Sequence, residues 1–256
     1  MTSLTALLAG AARTATGFTT HIPSNWLQGR TAYGGLSSAL ALAAAKQVEA
    51  DLPPLRSAQI AFIGPLSGEV SVTATTLRRG RNAAFVQADI VSQVGLGFRA
   101  TFVFMAALES SVALERTTRA AHTPPAADAP LYTGPAEFFT GNFNFFDLKD
   151  AAGPVEWLRW GRLIERDGLD PEIELMALGD ALPPAAFRLF QKMTPLSSLT
   201  WQVNVLQPKP MTRDGWWLIQ ADTDLAQNGY SSQRMRMWDA DGTLVAEGMQ
   251  GVAIFG

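Results

Sequence analysis

The run from Gly34 to about Ala50, GGLSSALALAAAKQVEA, constrains the fold more than any other segment. Alanine and leucine are the strongest intrinsic helix formers, so the run reads as a long helix opened by Tyr33-Gly34-Gly35. Its small apolar residues cover most of its circumference rather than one stripe, so it must be buried on nearly every side. Asp51 and the Pro53-Pro54 pair stop it, since proline lacks the N–H that a helix needs to continue. A sheet wrapped around the helix is the simplest cover.

The flanking sequence supplies such a sheet. Phe18 to Ile22 reads as a short strand, and a loop from Pro23 to Ala32 leads into the helix. Four strand-like runs follow it: Leu55 to Ile63, Glu69 to Arg78, Ala83 to Ser92 and Gly97 to Ala106. In the second run Val70, Val72 and Ala74 alternate with Ser71, Thr73 and Thr75, the period of a half-buried strand. Turn residues at Gly64-Pro65, Gly80-Arg81-Asn82 and Gly95 separate the runs.

The same order then recurs. Asn142 to Asp147 reads as a strand, and a loop region carries Trp157 and Trp160. Glu172 to Phe187 carries a helix ended near Pro183-Pro184. Four strands close the chain: Leu199 to Leu206, Trp216 to Ala226, Tyr230 to Trp238 and Leu244 to Phe255. Between the two halves a proline- and alanine-rich stretch loses all periodicity and reads as a linker. The organisation expected is therefore residues 1–108, a linker at 109–141, and residues 142–256. The repeat lies in the order of elements, not in residue identity. It predicts an α+β chain built as a tandem (double) hotdog, each half a long helix wrapped by an antiparallel sheet. Two unrelated α+β domains are the alternative.

Charged residues are 17% of the chain and the net charge is −3, with no long basic run, which argues against nucleic-acid binding. There is no cysteine, so disulfides, thiolate metal sites and a cysteine nucleophile are excluded. No apolar run approaches the roughly 20 residues of a membrane span. The N-terminus lacks the basic region of a signal peptide and reads instead as a short amphipathic helix with Leu4, Leu7 and Leu8 on one face. A cytoplasmic chain is expected. The only histidines are His21 and His122, too far apart for a paired metal site, so neither metal nor cofactor is expected. No phosphate-binding loop or G-x-S-x-G elbow is present.

With no cysteine and no visible Ser–His pair, a positioned water is the remaining nucleophile for acyl transfer. It needs polar groups to hold it and a donor for the oxyanion. The glycine-led helix start at Tyr33-Gly34-Gly35 offers free amides and a favourable dipole, though glycine there also suits tight packing. Thr200, Thr223 and Gln250 are polar residues among the apolar ones in strands of the second half. Each either faces solvent or bonds a partner, because burying an unpaired amide or hydroxyl is costly.

Several segments taken together resemble the acyl-CoA thioesterase II family of double-hotdog enzymes, over nearly the whole chain. Arg30-Thr31-Ala32-Tyr33-Gly34-Gly35 is similar to the family's helix start, and Gly64-Pro65 to its strand-ending turn. Gly179-Asp180-Ala181-Leu182-Pro183-Pro184 resembles the end of the second hotdog helix. Trp238-Asp239-x-Asp241-Gly242-x-Leu244-Val245-Ala246, then Gln250-Gly251, resembles the terminal hairpin.

The resemblance implies hydrolysis of acyl-CoA by a water held by Asp, Thr or Ser, and Gln of the second half, within fatty acid metabolism. It also implies a homo-oligomer. Gln250 matches the glutamine and Thr223 the hydroxyl. Thr200 stands where the aspartate is expected, directly after Leu199. On that reading Thr200, Thr223 and Gln250 are catalytic, and Tyr33, Gly34 and Gly35 bind substrate, with the acyl chain lying along the apolar helix. Threonine is no carboxylate base, so an acyl-CoA binder without rapid turnover is the alternative. An enoyl-CoA hydratase is a third reading, for which His21 lacks a companion acid.

Overall fold

A computed structural model describes residues 1–256. A short helix α1 (Leu4–Ala9) begins the chain, capped by Ser3, whose hydroxyl accepts from the Ala6 amide; Leu4 and Leu7 are buried. Strands β1 (Ala12–Thr14) and β2 (Gly17–Ile22) follow, then the two-residue pair β3 (Leu27–Gln28) and β4 (Thr31–Ala32). Helix α2 (Gly34–Val48) leads into β5 (Leu55–Phe62), β6 (Gly68–Arg79), β7 (Ala83–Ser92) and β8 (Gly95–Met105). The second half is β9 (Phe143–Asp147), β10 (Glu156–Leu163), α3 (Pro171–Gly179), β11 (Leu196–Val205), β12 (Trp217–Gln227), β13 (Tyr230–Trp238) and β14 (Leu244–Ile254).

Twelve strands form one antiparallel sheet in the order β1-β2-β6-β7-β8-β5-β11-β14-β13-β12-β10-β9. The halves join where β5 pairs with β11, Gln59 opposite Gln202. Each half contributes a helix flanked by strands in the same order, a tandem hotdog.

Helix α2 is buried as its composition demands: Leu36, Leu40, Ala41, Ala44 and Ala45 have no exposed surface. The two helices run antiparallel against each other. The Tyr33 hydroxyl at the start of α2 donates to the Ala177 carbonyl near the end of α3, and Lys46 near the end of α2 binds Asp170 before the start of α3.

Two expectations change. The region of Trp157 and Trp160, expected as a loop, is strand β10, so two strands of the twelve-stranded sheet precede the helix in each half. Helix α3 stops at Gly179 rather than near Pro183. Only glycine fits there, because a Cβ would press on the Trp201 ring at 2.7 Å; the chain then turns through Pro183-Pro184 into a short 3-10 turn at Ala185–Leu189. A second apolar cluster with Trp160, Trp216 and Trp238 lies on the outer face of the sheet. The linker covers it: the Trp238 indole donates to the Thr118 carbonyl at 2.8 Å, and the Ala120 amide to the Gly242 carbonyl.

Candidate active site

A cavity of about 420 Å³ opens where the start of α2 meets the end of α3. Gly34, Ser37, Phe62, Phe98, Asp180 and Ser198 contribute to its wall, and Asp180 is the one ionisable side chain there. Asp180 caps the C-terminus of α3. A carboxylate is disfavoured at the negative end of its own helix. The antiparallel packing compensates, because Asp180 also lies against the N-terminus of α2, where the Gly35 amide favours its charged form. That N-terminus is open to it, since its cap residue Tyr33 makes no side-chain capping bond. Gly34 is required by proximity: a Cβ there would collide with Asp180 Oδ2 and with the Phe62 ring.

Gln250 supplies the third contact. Its Nε2 donates to Asp180 Oδ1 at 2.8 Å. Burial pushes the Asp180 carboxyl up to about 7, against the opposing pull of the bonds from Gln250 and Gly35. A carboxyl titrating near neutrality in a cavity wall has the property a general base needs. Burial, and then the charge of Asp180, hold the Tyr33 hydroxyl well above its ordinary value, so it stays a neutral donor.

The sheet register sorts the expected site residues. Thr223 of β12 pairs with Gln233 of β13, and Gln233 with Gln250 of β14, so all three face the helices from one row. Thr223 nevertheless stands two strands from Gln250, roughly 10 Å away. It is absent from the cavity wall, and its buried hydroxyl has no partner.

Thr200 is corrected outright. Leu199 is the extra residue of a bulge between Ser198 and Thr200, so these two face opposite sides of the sheet. Thr200 is exposed on the outer face; a Cβ on Gly251 would point to it, at 3.1 Å from its Oγ1. Ser198 takes the inner position and lines the cavity. Tyr33 is corrected as well: only 1% exposed, it stacks on Phe139 with ring centroids 4.2 Å apart and anchors α2 instead of touching the cavity. The cavity reaches along α2 no further than Ser37, so the first turn, not the helix length, borders the space available to a ligand. His21 lies outside the site, exposed and paired with Glu69.

Asp180 and Ser198 are thus the residues that sequence reasoning missed. An acid directly after an apolar helix, where the dipole opposes it, was the available signal for Asp180. The bulge that turns Ser198 inward has no comparable mark.

Comparison with known proteins places the fold in a family. The family model described as the acyl-CoA thioesterase C-terminal domain matches residues 113–254, and the corresponding N-terminal domain model matches residues 22–105. The chain belongs to the acyl-CoA thioesterase family. Among solved structures it is similar to a hot dog fold protein from Alicyclobacillus acidocaldarius, with 19% identity and TM-score 0.81 over 98% of this chain and 97% of that one. A tesB protein of Mycobacterium avium subs. paratuberculosis gives 16% identity and TM-score 0.81 over 99% and 98%. The acyl-CoA thioesterase II TesB2 of Mycobacterium marinum gives 15% and 0.77 over 99% and 97%. No curated protein matches significantly by sequence. No helix of this family member is long and apolar enough to cross a membrane.

Proposed function

We propose that the protein hydrolyses acyl-CoA to a free acid and coenzyme A, with Asp180 as general base. The observation that carries this reading is the buried Asp180 carboxyl held by Gln250 beside the start of α2 in the wall of the cavity. In this scheme Asp180 takes a proton from a water held between its carboxylate, Gln250 and Ser198. The water oxygen bonds to the thioester carbon, and the carbonyl oxygen becomes an oxyanion facing the Gly34 amide and the positive end of α2. The C–S bond then breaks, and the thiolate takes up the proton that Asp180 accepted. Water is consumed, and one carboxylic acid and one thiol leave. The non-turnover reading drew its motive from a missing carboxylate, which Asp180 supplies. A cytoplasmic homo-oligomer serving fatty acid metabolism, needing no cofactor, remains part of the proposal.

The test is thiol release from acyl-CoAs running from acetyl to palmitoyl. Turnover is expected to peak at short chains, because the cavity ends beside the first turn of α2. Removing the amide with Gln250→Leu should lower kcat by about 100-fold, the usual worth of a positioned catalytic group. It should also move the rise of activity to higher pH, because the lost bond is one that lowers the Asp180 pKa. Saturable acyl-CoA binding with no thiol release from any substrate would sink the assignment.

A further inference from the structure

A glutamine amide can present either its oxygen or its NH₂ to a neighbour. Which end Gln250 turns to Asp180 decides what it does there. The NH₂ supports the carboxylate, whereas the oxygen would repel it. Gln250 has no means of its own to choose, and the fold makes the choice through a second glutamine. Gln233, with no exposed surface, lies beside Gln250 on the neighbouring strand and outside the cavity wall. Its Oε1 accepts from the backbone amide of Ala185 at 2.7 Å. A backbone N–H can only donate, so the orientation of Gln233 is fixed from that end. The Nε2 of Gln233 therefore points the other way and donates to Gln250 Oε1 at 2.7 Å. With its oxygen engaged, Gln250 has only Nε2 to offer Asp180. Ala185 is itself held by the short turn that follows Pro183-Pro184.

We propose that Gln233 is a positioning residue, which reads the direction of the Ala185 amide and passes it to Gln250, so that a donor and not an acceptor faces Asp180. The inference rests on Asp180 being the base. The charged and titratable surroundings of Asp180 are simple: no other ionisable residue lines the cavity, and the Tyr33 hydroxyl that feels it stays neutral. A change in the pH profile on altering Gln233 is thus traceable to the glutamine pair.

The decisive variant is Gln233→Glu. The new carboxylate still accepts from Ala185 but cannot donate to Gln250. Gln250 must then turn its NH₂ toward the carboxylate and its oxygen toward Asp180. Both the lost donor and the added negative charge raise the Asp180 pKa. The acidic limb of the kcat profile should move up by about one pH unit, an approximately tenfold loss below neutrality that disappears toward pH 9, with KM unchanged. Gln233→Met, which cuts the chain without adding charge, should shift the limb in the same direction by less, and it carries the test if the first variant does not fold. Asp180→Asn is assayed alongside. If Asp180→Asn retains activity, the base assignment fails. If it is inactive while a folded Gln233 variant leaves the limb in place or lowers activity equally at all pH values, the role of Gln233 is overturned and that of Asp180 stands.

Discussion

The two halves share a plan yet end their helices differently. Each helix is capped at its C-terminus by an acid, Glu49 after α2 and Asp180 after α3. In each half a threonine directly before a bulge starts a row of inward-facing residues. From Thr76 the row passes Val86 and Phe102; from Thr223 it passes Gln233 and Gln250. The first half thus places apolar side chains where the second has an amide pair. Glu49, with no glutamine to meet it, accepts from the Thr76 hydroxyl at 2.8 Å and lies 3.7 Å from Arg79.

The helix N-termini diverge in the complementary sense. Helix α3 is capped by its own Asp170, which accepts from the amides of Glu172 and Ile173, so those donors are spent. Lys46 fills the remaining space, at 2.6 Å from Asp170 and 2.7 Å from Glu172. Helix α2 leaves its first amides to Asp180 and the cavity. A pseudo-twofold arrangement offers two helix-end junctions, and the sequence has made one a pocket and the other an ion-paired joint.

The sharpest way to break this contrast is Asp180→Asn. If the open junction is the reacting one, kcat should fall by about 1,000-fold or more, toward the upper range for losing a general base. The substitution should also leave a thermodynamic trace. The folded-state pKa of about 7 lies above the ordinary value of 3.8, so the folded protein holds this proton more tightly than the unfolded chain does. The contribution is therefore fully present below about 3.8 and is lost as pH rises through about 7. In unmodified protein the melting temperature should decline across that window, and in Asp180→Asn that part of the decline should vanish. A pH-independent difference between the two would mean that the carboxyl is not buried as described.

The closed junction should behave oppositely. Lys46→Met removes the cation facing Glu172, whose side chain is only 6% exposed. Stranding a buried carboxylate should cost about 3 kcal/mol in chemical denaturation, near the range for breaking a buried pair. Glu172 keeps one bond, from the Leu55 amide at 2.8 Å. Specific activity of the folded fraction should stay within about twofold, since no atom of this joint reaches the cavity. An equal loss of kcat would show that the two junctions are coupled.

What could be read from the residues follows the same divide between local and non-local causes. Helix α2 announced itself because propensity, burial and the closing prolines all agree within one segment. The tandem order was legible for the same reason. Asp180 was noticed as the end of a helix and not as an acid, because its meaning depends on the N-terminus of a different helix 145 residues earlier in the chain. Thr200 was misplaced because the resemblance set the expected acid directly after Leu199, whereas Leu199 is a bulge residue and the inward position falls on Ser198 before it. Gln250 was legible as an amide in an apolar strand. Its partner Gln233 was not, since Arg234 and Arg236 beside it give that strand a polar look.

The smallest expected effect belongs to Glu49, and it tests whether the equivalence drawn from the register has chemical content. Glu49→Gln keeps the shape and an acceptor for Thr76 while removing the charge. The ion pair with Arg79 is partly exposed, with side-chain exposures of 34% and 22%, so solvent screens it and its loss should cost less than about 1 kcal/mol. Thiol release should be unchanged across the pH range. The same carboxylate-to-amide change at the end of α3 is expected to abolish turnover. The difference between the two would then come from the surroundings of each acid: a glutamine pair and an uncapped helix start at one, apolar side chains and a surface arginine at the other. A comparable loss of activity in Glu49→Gln would mean that the first half holds a second working junction and that the asymmetry argued from Lys46 and Asp170 is only apparent.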